Sequence, residues 1–80
     1  MQAISRHIVG YDPTTETVAV EYDIPSEMWQ DVAALVKADD DDPDYVYNYP
    51  LGANDANEII TILGKRADRE LSYFLECEAT

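Results

Sequence analysis

The sequence has little with which to do chemistry. It holds one cysteine, Cys77, one histidine, His7, and three glycines. A single cysteine rules out an internal disulfide and fits a reducing compartment. No pair of Cys or His residues stands at zinc-ligand spacing. The glycines, Gly10, Gly52 and Gly64, are scattered at boundaries, which excludes a phosphate-cradling loop. Ser5 and Ser72 could approach His7, but any small chain offers as much toward a nucleophile–base pair. We expect no enzyme, no catalytic residue, no cofactor and no metal.

Positive charge is also scarce. Five Lys and Arg face seventeen Asp and Glu, for a net charge of -12. Such a chain repels nucleic acid and anionic membranes and attracts basic protein surfaces. No apolar run approaches the ~18 residues of a membrane span. The opening MQAISRHIVGYD lacks a small-residue cleavage signature. These absences make a cytoplasmic protein the expectation, with no direct nucleic-acid contact.

What the chain does have suits one small domain over residues 1–80. Its apolar fraction is 46%, enough for a core, although a chain this short buries only about 60% of its unfolded surface. Residues 3–11, AISRHIVGY, read as a strand with Ile4, Arg6 and Ile8 on one face and His7 and Val9 on the other. YDPTTET supplies a turn. TVAVEYD alternates, with Val18, Val20 and Tyr22 on one side, so the two runs form an antiparallel hairpin. PSEMWQDVAALVKA reads as a helix capped by Ser26, with Met28, Trp29, Val32, Leu35 and Val36 as its apolar stripe and the aspartates at its end. NDANEIITILG reads as a second helix, capped by Asn54, buried through Ala56, Ile59, Ile60 and Leu63, and stopped by Gly64. ELSYFLECEA is another strand, with Leu71, Tyr73, Leu75 and Cys77 opposite Ser72, Phe74, Glu76 and Glu78. YVYNY is an edge strand or an extended loop. The expected class is α+β: a small antiparallel sheet with two helices on one face, in the order β-β-α-(β)-α-β.

The segment KADDDDPDYVYNYPLG concentrates the charge. Between residues 21 and 58 lie eleven acids and one base, Lys37. Asp40, Asp42 and Asp44 imitate the opening of an EF-hand loop. Tyr45 then stands where glycine is required and Leu51 where a bidentate glutamate is required, so calcium is excluded as a specific ligand. A short acidic run is ordinarily a solvated loop. Here Tyr45, Tyr47 and Tyr49 follow at alternate positions, so in extended chain their rings share one side. They either join the core, with Val46 outward, or present aromatic anchors beside the acids. In the second case acids would steer in a basic partner and desolvated rings would slow its release. The candidate contact residues are Asp39, Asp40, Asp41, Asp42 and Asp44, with Tyr45, Tyr47 and Tyr49. Glu27 and Asp31, four apart on the first helix, extend the patch.

The opening HIVGYDPTTETVAVEYDIP, the capped helix, YPLGANDANEI and the closing LSYFLE together resemble the small acidic immunity proteins of bacterial polymorphic toxin systems, of the contact-dependent inhibition and Rhs types. The resemblance covers most of the chain in layout and composition. It implies a partner: a cognate toxin domain, often a nuclease, held inactive in the producing cell. Nuclease sites are basic because they bind phosphate, and carboxylates can occupy the places of phosphates. Two alternatives stay open. One is a phage-type nucleic-acid mimic that inhibits a host nuclease. The other is a structural homo-oligomer paired through YVYNY, which the nearby aspartates disfavour.

Overall fold

A computed structural model describes residues 4–42 and 47–79. The chain forms a four-stranded antiparallel sheet with helices packed on one side, an α+β fold. β1 (Ile4–Asp12) and β2 (Thr17–Asp23) make the hairpin. A 3₁₀ turn over Ser26–Met28 leads into α1 (Trp29–Ala33). β3 (Tyr49–Leu51), α2 (Ala53–Ile62) and β4 (Ser72–Ala79) follow. The sheet order is β2-β1-β4-β3, so the closing strand pairs with the first. Among the described residues no helix is long and apolar enough to cross a membrane.

Alternation decides which face each strand buries. Ile8, Tyr73, Leu75 and Tyr49 share a core with Ile24, Val32 and Val36 and with Ala56, Ile59 and Ile60 of α2. The register sets Leu75 between Ile8 and Tyr49, placing a fully buried leucine at the sheet's centre. Val9, Tyr11, Phe74 and Glu76 occupy the opposite face, which no helix among the described residues covers. β3 is an edge strand, where Pro50 loses no needed ladder bond.

Gly10 is required by packing. A Cβ there would stand 2.7 Å from both Tyr73 Cε1 and Val20 Cγ2. Beside it the hairpin register slips: Gly10 pairs with Val20, but Tyr11 pairs with Val18. Ala19 is the extra residue of a β-bulge. This corrects the expected alternation of β2. The bulge sends Val18 to the open face, where it is 53% exposed, while Val20 packs against the core.

The first helix is shorter than its apolar stripe predicts. After Ala33 the hydrogen bonds tighten from Ala34 N–H to Gln30 O into Leu35 N–H to Val32 O and Val36 N–H to Ala33 O. The segment is too short to hold itself as a helix; it is held by burial of Val32 and Val36. Ser26 does not cap it. Pro25 stands at the cap of the 3₁₀ turn and Met28 at that of α1, and no side chain bonds at either. The helix ends at Ala33, well before the aspartates begin at Asp39. In α2 the cap is Gly52 rather than Asn54, and the Ala56 N–H donates to its carbonyl at 2.9 Å. Gly64 ends this helix as its composition predicts. Its φ is 77°, and Gly64 N–H and Lys65 N–H return to the carbonyls of Thr61 and Ile60.

Gly10→Ala should therefore destabilise the chain by about 1–3 kcal/mol through overpacking, read as a lower urea midpoint. Gly52→Ala, with open space around it, should shift that midpoint far less.

Candidate partner-binding surface

One carboxylate ties the acidic loop to β3. Asp42 is 2% exposed, and Tyr49 on β3 is 8% exposed. The Tyr49 hydroxyl donates to Asp42 Oδ2 at 2.5 Å and accepts the Asp39 N–H at 3.2 Å. The Tyr47 N–H donates to the same Oδ2 at 2.9 Å, and the Asp42 N–H closes a turn on Asp39 O at 2.9 Å. Burying a carboxylate costs several kcal/mol unless such donors replace its water. Burial, and then the bond to Asp42, pushes the Tyr49 hydroxyl from its ordinary 10.0 up to about 12.

Two of the candidate contacts are therefore corrected. Asp42 and Tyr49 face each other beneath the loop, where a partner cannot reach them without unfolding it. The others divide cleanly. Asp39, Asp40 and Asp41 are exposed, as are Glu27 and Asp31. Tyr47 is 46% exposed, with its hydroxyl 3.4 Å from Asp41 Oδ2. Asp44 and Tyr45 lie outside the described residues. Alternation alone left the tyrosines' direction open; the hydrogen bonds send Tyr49 inward while Tyr47 stays in solvent.

A second group of side chains spans β1, β4 and the start of α1. Arg6, whose Cα pairs with that of Cys77 across β1 and β4, lies over the Trp29 ring with its guanidinium carbon 4.0 Å from the centroid. Burial raises the Cys77 thiol; Arg6 opposes this by charge and hydrogen bonding, and Asp42 adds to it. Cys77 is thus a half-buried thiol whose neutral form is favoured on balance.

Sequence spacing gave no hint of a third group. His7 pairs with Asp23 across the hairpin, and its Nδ1–H donates to Asp23 Oδ1 at 2.7 Å, with Glu21 Oε1 at 3.7 Å. These three offer ligand atoms within 4.8 Å of one another. One imidazole and two exposed carboxylates form a poorer set than the closed N and S shells of structural zinc sites. Cross-strand register, not spacing along the chain, brings them together.

The sheet's open face also carries a feature that sequence reasoning missed. Tyr11 and Phe74 meet edge to face, with centroids 5.6 Å apart and planes at 83°. The Tyr11 hydroxyl donates to Glu76 Oε2 at 2.5 Å, which raises its own pKa. An aromatic on the polar side of LSYFLECEA was the available signal.

A family model matches residues 5–76, described as a domain of unknown function (DUF7683). The chain belongs to this family. No curated protein and no solved structure matches it.

Two outcomes test the Asp42–Tyr49 lock. Asp42→Asn should cost about 1–3 kcal/mol, because a neutral amide accepts more weakly than the carboxylate and puts an NH2 in place of one buried oxygen. Asp40→Asn should stay within about 0.5 kcal/mol; urea unfolding measures both. The folded state also favours neutral Tyr49. Its contribution to stability should be complete below pH 10 and lost as pH rises toward about 12. Tyrosinate absorbance and far-UV circular dichroism, followed together on alkaline titration, would read this.

Proposed function

We propose that this chain is an immunity protein: a binder without catalytic activity that neutralises a basic toxin domain, such as a nuclease, in the cytoplasm of the producing cell. One observation carries the reading. On a chain of net charge -12, Asp39, Asp40 and Asp41 stand exposed on a loop whose fold is pinned from beneath, beside the exposed ring of Tyr47. A pinned acidic loop loses less conformational entropy on binding than a free one. Its potential accelerates encounter with a cationic surface. The carboxylates would stand where the substrate's phosphates otherwise bind.

The test is growth rescue. Expression of the toxin gene adjoining this one should arrest growth, and co-expression of this chain should restore it. Failure to rescue, with both proteins produced, overturns the reading. With the purified toxin domain, the triple substitution of Asp39, Asp40 and Asp41 by Asn should slow association by about tenfold or more at low salt while changing dissociation little. Raising salt should erase the difference between the two proteins. Stopped-flow or surface-based kinetics would resolve the two rates.

A further inference from the structure

Resting on that reading, we propose that the open face of the sheet carries a second contact: a cleft between the β1–β2 turn and β4 that receives an arginine side chain of the basic protein partner. The cleft has a volume of about 540 Å3, ample for one long side chain. Its walls include the rings of Tyr11 and Phe74 and the carboxylate residues Asp12, Glu16 and Glu76. Among the described residues that line it, none is basic. An anion is repelled there, and a purely apolar group would strip water from carboxylates for nothing in return. A guanidinium satisfies both halves: its flat face lies on an aromatic ring and its fork meets a carboxylate.

The walls are held in place before any partner arrives. Tyr11 is fixed by Phe74 on one side and by its hydrogen bond to Glu76 on the other. That bond uses one acceptor position of a group that has about four. Asp12 is held by the Thr14 N–H on its Oδ1 at 2.8 Å. Glu16 follows in the left-handed region, φ 60°, with its N–H on Asp12 O at 2.7 Å. A glutamate kept in a conformation that glycine adopts more readily sets a third acid at the cleft. The cleft also adjoins the acidic loop. Asn48, which lines it, directly follows exposed Tyr47, so one partner surface can engage both. A second copy of this chain is a poor occupant, since both would bring a net charge of -12.

The experiment is a titration of the ¹⁵N-labelled full chain at low salt with an amidated hexapeptide alternating arginine and leucine. Its citrulline–leucine counterpart keeps the shape and removes the charge. Saturable shift changes centred on Tyr11, Glu16, Phe74 and Glu76 are expected, and the citrulline peptide should lose them. E76Q and F74L should each weaken the arginine peptide by about fivefold or more, with the dispersion of each free variant's spectrum reporting that it is folded. Equal shifts with the citrulline peptide overturn cation recognition at the cleft. Shifts confined to Asp39, Asp40, Asp41 and Tyr47 overturn the cleft and leave the acidic-loop reading standing. No saturable shift anywhere overturns the cleft as well. Loss of growth rescue, a separate readout, is what sinks the function itself. Concentration-dependent broadening on this face without peptide would show a second copy as the occupant and overturn the arginine assignment.

Discussion

The hydroxyl of Tyr49, poised between the carboxylate of Asp42 and the amide of Asp39, organises the most unusual part of this molecule. Without it, a run of aspartates would repel itself into solvent. With it, one acid is withdrawn from water to hold the others outward. Accepting from the Tyr49 hydroxyl and the Tyr47 N–H, the Asp42 carboxylate ties the loop to the edge strand, and through Tyr49 to the core residues around Leu75. The geometry of the loop and its presentation of charge thus depend on one buried polar pair.

That arrangement divides the acids by role. Asp42 acts on the fold. Asp39, Asp40 and Asp41 act on the field outside it. Asp68 serves another turn, accepting the Glu70 N–H while its own N–H donates to the Tyr73 hydroxyl. A small domain with a net charge of -12 pays a self-repulsion cost that salt relieves. In the proposed function, the concentration of acids on one loop is what meets the basic partner.

The two faces of the sheet also differ in kind. The helix-covered face is an ordinary apolar core, with Ile8, Ile59, Ile60 and Leu75 fully buried. The other face mixes aromatic rings with carboxylates that bond one another, as Tyr11 does with Glu76. Mutual bonding gives that face fixed shape without covering it. Fixed shape, aromatic area and charge of one sign are the features on which the proposed arginine contact rests.

Much of the architecture was legible in the order of residues, because periodicity is a local property. Alternation marked β1, β2 and β4, the spacing of Ala56, Ile59 and Ile60 marked α2, and Gly64 marked its end. The scarcity of bases and of Cys and His set the expectations about chemistry. What failed was whatever depends on a neighbour distant in the chain. The bulge that turns Val18 outward follows from the fit of Gly10 against Tyr73. The brevity of α1 follows from how Val32 and Val36 reach the core. His7 meets Asp23, and Tyr11 meets Glu76, only through strand register. Above all, four consecutive aspartates look identical in sequence. Tertiary structure alone singled out Asp42, because only the folded chain brings a tyrosine hydroxyl to a carboxylate already deprived of water.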